Sequence, residues 1–126
     1  MSTITTINAS DQVDSSRATI NTNLDNLNRY DRSVASTATY TILATDDIVG
    51  VTYTATGAVT LTLPAISSAG KIMFVVKDEG ANANTFNITI NRAGSDTVDG
   101  GTSATISTDS GALTFYNDGT SAWFTY

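Results

Sequence analysis

The only groups numerous enough in this chain to do acid–base or metal chemistry are its carboxylates. There are twelve Asp and Glu side chains against six Lys and Arg, with no His and no Cys. Without His the commonest general base and metal ligand is missing, and without Cys neither thiolate chemistry nor a disulfide framework is open. The stretch "DTVDGG" sets Asp96 and Asp99 three residues apart beside Gly100 and Gly101. A hard cation such as calcium uses carboxylates of this kind, but the ligand order of an EF-hand loop is absent. A polar turn between strands is the simpler reading. Asp46-Asp47, Asp78-Glu79 and Asp118 also fall at turn signals, where Asp binds nearby backbone N–H groups. Glycoside hydrolysis needs two placed carboxylates, one of them kept protonated. The chain has Glu79 as its single Glu and no aromatic-lined segment near an acidic pair. These inventories predict no enzyme activity, no resident metal and no cofactor.

Binding chemistry is left to the aromatics and the charge balance. Phe115, Tyr116, Trp123, Phe124 and Tyr126 cluster near the end of the sequence, where they could stack on a sugar. Strand alternation sends about half of them inward, so two or three are expected to be exposed, with Trp123 in the core. "GANAN" lies between strand patterns and precedes no helix, so it is no phosphate loop. The formal charge of −6 argues against nucleic acid and against anionic membrane, which need clustered Lys and Arg. No run approaches the roughly 18 apolar residues of a membrane-spanning helix. "MSTITTINAS" lacks the basic and apolar regions of a signal peptide, which predicts synthesis in a cytoplasm without a visible export signal.

The elements that would carry these groups fall into two regimes. Residues 1–12 alternate Ile4 and Ile7 among Thr, Ser and Asn, as an extended arm that is ordered only against another surface. From Val13 the apolar spacing is helical: Val13, Ile20, Leu24 and Leu27, with Asp14, Ser15 or Ser16 available as a cap. With Ile20 and Leu27 at heptad position d, Arg17, Leu24 and Asp31 take a, and Val13 the preceding d. The helix is expected over 13–32 and is rich in Asn and Thr, which are weak helix formers. An isolated helix of this length is marginal, so it needs a partner. That partner is either its own β domain or other copies. Leu at a with Ile at d favours three or four strands over two.

Beyond "SVASTATYT" the period changes to two. Ala38, Tyr40 and Ile42 open a strand; Val49, Val51, Tyr53 and then Val59, Leu61, Leu63 read as a hairpin turning at Thr56-Gly57. Pro64 closes the second of these strands. "KIMFVVK" reads as a central strand buried on both faces, and "TFNITINR", "SATIST", "GALTFYN" and "SAWFTY" follow, the last two joined at Asn117-Asp118-Gly119. About eight short strands between turn signals predict a mainly β fold, an antiparallel β-sandwich or jelly-roll-like domain over 36–126. The arm and the one short helix precede it.

The motif order "TGAVTLTLPA", "GKIMFVVKDEG", "FNITINRAGSDTVDG" and "ALTFYNDGTSAWF" resembles a small β module of tailed-phage virion proteins, found in head fibres, capsid decoration proteins and tail-fibre ends. The segment "INASDQVDSSRATINTNLDNLNRY" resembles what precedes such modules, so together they cover nearly the whole chain. The resemblance implies a homotrimer on the virion surface. Its short helical bundle would be lined by Val13, Arg17, Ile20, Leu24 and Leu27, with Arg17 and Asp31 as polar layers or Arg17 paired to an acid of a neighbouring copy. The arm would dock on the major capsid protein or another virion protein through Ile4 and Ile7. The resemblance carries over no catalytic residue. The chain lacks the length of a main tail fibre, which favours a capsid decoration protein or short head fibre. The alternative is a tail-fibre-type adhesin reading host surface glycans through loops such as Asp78–Thr85 or Asp96–Ser103.

Overall fold

The computed structural model describes residues 4–6, 9–10, 12–27, 29–55 and 57–126. The helix α1, Val13–Leu27, begins one residue before the expected caps, with the Ser16 N–H donating to the Gln12 carbonyl at 2.8 Å. It also ends five residues sooner than its pattern predicts. The backbone of Asp31 is taken by the β domain instead: the Asp47 and Ile48 N–H groups donate to its carbonyl at 2.9 and 3.0 Å, and its own N–H donates to the Asp47 carboxylate at 2.8 Å. Arg32, expected in the last turn of the helix, therefore opens the first strand.

Among the described residues ten strands follow: β1 Arg32–Ala35, β2 Thr39–Thr41, β3 Ile48–Val51, β4 Val59–Thr62, β5 Met73–Asp78, β6 Ile88–Asn91, β7 Thr97–Val98, β8 Ser103–Ile106, β9 Ala112–Asn117 and β10 Ala122–Thr125. A four-residue helix, α2 Ile66–Ala69, sits between β4 and β5. One sheet (sheet A) has the order β1-β3-β5-β9-β10-β7 and the other (sheet B) β2-β4-β6-β8. Through β6 each successive strand crosses to the opposite sheet, so β1–β2, β3–β4 and β5–β6 are three coils of a winding chain. Like strands of successive coils pair in parallel, Ile48 opposite Val75 and Leu61 opposite Ile90 among them. β8 and β9 then close the last coil by antiparallel pairing on β6 and β5.

This winding corrects the expected antiparallel sandwich or jelly roll. Of the eight strand pairings, β1–β3, β3–β5, β2–β4, β4–β6 and β7–β10 are parallel, and the arrangement is that of a short β-solenoid. Parallel neighbours need a long crossover, and here the strand in the opposite sheet supplies it where a helix does so in α/β folds. The hairpin read at Thr56-Gly57 is corrected for the same reason, since β3 and β4 belong to different sheets; Thr56 itself lies outside the described residues. The hairpin at Asn117-Asp118-Gly119 is present, joining antiparallel β9 and β10. β5 is central, as expected, but buried on one face only: Phe74, Val76 and Asp78 point inward and Met73 is exposed.

The core lies between the two sheets. Val59, Leu61, Ile88 and Ile90 come from sheet B, and Val49, Val51, Phe74, Val76, Phe115 and Trp123 from sheet A. Phe74 stacks on Phe115 at 5.3 Å between ring centroids and meets Trp123 edge-on at 5.6 Å. The outward positions of sheet B form two ranks across four strands, Thr39-Thr60-Thr89-Thr105 and Thr41-Thr62-Asn91-Ser103. These hydroxyls and one amide make a solvated sheet face.

Candidate functional site

The β domain uses several of its carboxylates to hold its turns and loops. Asp46, almost wholly buried, accepts the Ser33 hydroxyl at 2.5 Å, the Tyr40 hydroxyl at 3.0 Å and the Leu43 N–H at 2.9 Å, which closes the first coil. Burial raises the Tyr40 pKa above its ordinary value. Asp78, also buried, accepts the N–H groups of Asn82, Ala83 and Ser110 at 2.9–3.1 Å and ties β5 to two loops. Asp96 accepts the Ile66 N–H at 2.9 Å, while Asp99 turns the other way, to the backbone and hydroxyl of Thr125. The two acids of "DTVDGG" are thus committed to separate turns. Asp118 takes the N–H groups of Thr120, Ser121 and Ala122, which hold its pKa below the ordinary carboxylate value. Among the described residues no group of three or more acids gathers as a metal site would require.

A cleft of about 180 Å³ opens where β8 turns into β9, lined by Thr105, Ile106, Ser107, Thr108, Gly111, Ala112 and Leu113. It is smaller than the roughly 300–1,000 Å³ of ligand pockets and has no titratable side chain in its wall. No geometry for acid–base or nucleophilic catalysis is present in it.

Two apolar surfaces remain. The first is α1. None of its residues is buried, and none of the principal contacts between elements involves it. Val13, Ile20, Leu24 and Leu27 are 82%, 47%, 53% and 70% exposed. Packing of this helix on its own β domain, one of the two arrangements its pattern allowed, is therefore not what the chain does. Arg17, expected as a polar layer or a partner for another copy's acid, pairs with Asp14 one turn back at 3.1 Å, both exposed.

The arm explains one of the asparagines. The Asn23 side-chain amide accepts the Thr5 N–H and donates to the Thr5 carbonyl, both at 2.9 Å, as a neighbouring strand would. The half-buried positions of α1 are Ser16, Thr19, Asn23 and Asn26, a polar stripe flanking the apolar one. Thr5 is thus held on the polar stripe, and the apolar stripe stays exposed. Ile4 is half exposed beside it; Ile7 lies outside the described residues. Sequence reasoning missed this stripe, although its spacing of three and four residues was visible.

The chain matches no protein-family model, and no curated sequence matches it. Among the described residues no helix is long and apolar enough to cross a membrane.

The second open surface is the outer face of sheet A. Trp123 and Phe115 are core, while Tyr116, Phe124 and Tyr126 are exposed together, their rings 5.3 and 6.1 Å apart around Tyr116. Met73 lies opposite Tyr116 in the register, and Val34 is exposed on edge strand β1. Of the charges flanking this surface, Arg32 and Glu79 neutralise each other. Arg32 makes a two-point ion pair with Glu79, raising its own pKa and lowering that of Glu79, and the Lys77 ammonium donates to the Ser110 carbonyl. Gly50 makes the ion pair possible, because a Cβ there would run into the Glu79 carboxylate.

Proposed function

We propose that this chain is a non-catalytic structural protein of a tailed-phage virion surface. It acts as a homotrimer, as a capsid decoration protein or short head fibre. The observation that carries self-association is α1, a helix of weak formers whose apolar stripe is exposed and has no cover among the described residues. Burying that stripe against copies supplies what the sequence of the helix lacks. Leu24 at a between Ile20 and Leu27 at d supports three strands over two. The motif resemblance supports the virion surface, and the carboxylates committed to turns support the absence of catalysis.

In this reading residues 1–12 carry the attachment to the capsid, with Ile4 and Ile7 as the apolar anchors, and Asn23 fixes the arm's exit beside the bundle. The β domain stands outward with the hydroxyl face of sheet B in solvent. The adhesin alternative would use the loops Asp78–Thr85 and Asp96–Ser103. Both are braced inward by their own acids and contain no aromatic residue, which favours the structural role.

Mass measurement of the full chain over a dilution series tests the assembly. A trimer mass is expected; a concentration-independent monomer with its helix folded overturns it. Deleting residues 1–12 is expected to abolish capsid binding while the trimer persists. Adsorption lost through substitutions in the two loops, with assembly intact, would establish the adhesin instead.

A further inference from the structure

We infer that the outer face of sheet A is the surface through which the β domains of associated copies pack on one another, its occupant being a second copy of this chain. The inference rests on the self-association proposed above and extends it from the helix to the β domain.

The two sheets of the domain carry opposite outer faces. Sheet B presents its two ranks of Thr, Ser and Asn, which need no cover in water. Sheet A presents Met73, Tyr116, Phe124 and Tyr126, with Val34 at its edge. Both faces belong to the same strands-and-turns architecture, so the difference is one of residue choice. Exposure of Met73 at 60% and Tyr126 at 74% leaves the ends of the aromatic cluster open to a partner.

Area points to a protein-sized occupant. With roughly 150–250 Å² for each aromatic, the exposed part of these five side chains is about 500 Å², at the upper range of patches on monomers. The open stripe of α1 with Tyr30 adds about as much, and the total of about 1,000 Å² exceeds the roughly 800 Å² that one partner gives to a stable interface.

Continuity points to a copy of the same chain. Leu27 ends α1 and Arg32 begins β1, the edge strand of sheet A. Five residue steps span at most about 17 Å, so copies joined at the helix have their first sheet A strands tethered close together. Electrostatics permits burial beside the Arg32–Glu79 pair, whose charges match, whereas Lys77, bonded only to the neutral Ser110 carbonyl, keeps its charge and belongs at the rim.

The absence of Cys makes a direct test possible, because any introduced thiol is unique. Met73→Cys probes the sheet A face and Thr105→Cys the sheet B face, each in the full chain. The readout is the rate of labelling by a bulky maleimide, with mass recorded alongside. In the assembled protein the thiol at 73 is expected to react at least tenfold more slowly than the thiol at 105. The rates are expected to converge in the monomeric Ile20→Asp/Leu24→Asp background. Equal rates in an assembled protein overturn the inference while leaving the helical assembly standing. A monomeric full chain overturns both, and a thiol at 73 that stays protected in a monomer overturns the assignment of a second copy.

Discussion

Changing Ile20 and Leu24 together to Asp tests whether assembly supplies the stability of α1. Eleven of its fifteen residues rank below the strong formers, which weakens the isolated helix by on the order of 5 kcal/mol relative to alanine. Fully burying an apolar side chain of this size gives about 1.5–3 kcal/mol, so completing the burial of Val13, Ile20, Leu24 and Leu27 gives at most about 4–7 kcal/mol per copy. The two quantities are of one size, and helix formation and association are expected to be a single event. Ile20 and Leu24 account for about 2 kcal/mol of the burial in each copy, about 6 kcal/mol in a trimer, or roughly a 10⁴-fold loss of association at 1.4 kcal/mol per decade. Carboxylates meeting in the seam weaken it further. Sedimentation at micromolar concentration should give the monomer mass, and circular dichroism should lose the helical signal at 222 nm while the β spectrum persists. A variant that keeps the assembled mass refutes the seam. A monomeric variant that keeps its helical signal refutes the coupling, because α1 would then stand without partners.

The remaining expectations concern the β domain and the arm. Asp78→Ala strands three N–H donors, that of buried Ala83 among them, and should lower stability by about 3 kcal/mol in urea unfolding with an unchanged slope; Asp78→Asn should lose less because its oxygen still accepts. A smaller loss for alanine than for asparagine would contradict the role given to this carboxylate. Asp118 and Glu79 have pKa values below their ordinary 3.8 and 4.5, so each contributes stability that is present above those values and lost as pH falls through the lower folded-state value. In acid titrations followed by unfolding, Asp118→Asn and Glu79→Gln should each flatten the decline that begins near pH 4. A decline as steep as in the parent chain would count against both. Asn23→Ala should release the arm, seen as faster amide exchange at Thr5, with a stability change of about 1 kcal/mol or less.

The sequence made the inward residues legible and the direction of the strands illegible. Val59-Leu61 and Ile88-Ile90 alternate in the same way whether their neighbours run parallel or antiparallel, because side-chain alternation belongs to the single strand. Gly57 suggested a reversal within one sheet, but the chain turned there into the other sheet. The β9–β10 hairpin was readable because its turn residues sit directly between two strands. Alternation assigned Trp123 to the core and left two or three of the other terminal aromatics to be exposed without saying which; the structure exposes Tyr116, Phe124 and Tyr126. The acids of "DTVDGG" lie in the turn region that their glycines suggested, although their acceptor roles toward Ile66 and Thr125 depend on contacts about thirty and twenty-six residues away. The docking of Thr5 on Asn23 is likewise a tertiary contact, and the helical pattern recorded only the face it leaves open.

The alternation of strands between two sheets makes height a counted quantity. Each further coil would add one strand to each sheet and about 4.8 Å to the stack. An inserted coil between β3–β4 and β5–β6 would leave α1, the arm and the antiparallel closure by β8 and β9 unchanged. A lineage could therefore lengthen or shorten this domain by duplication or deletion of one coil. Its height above α1 would change in discrete steps, while the helix at one end and the closing strands at the other stay the same.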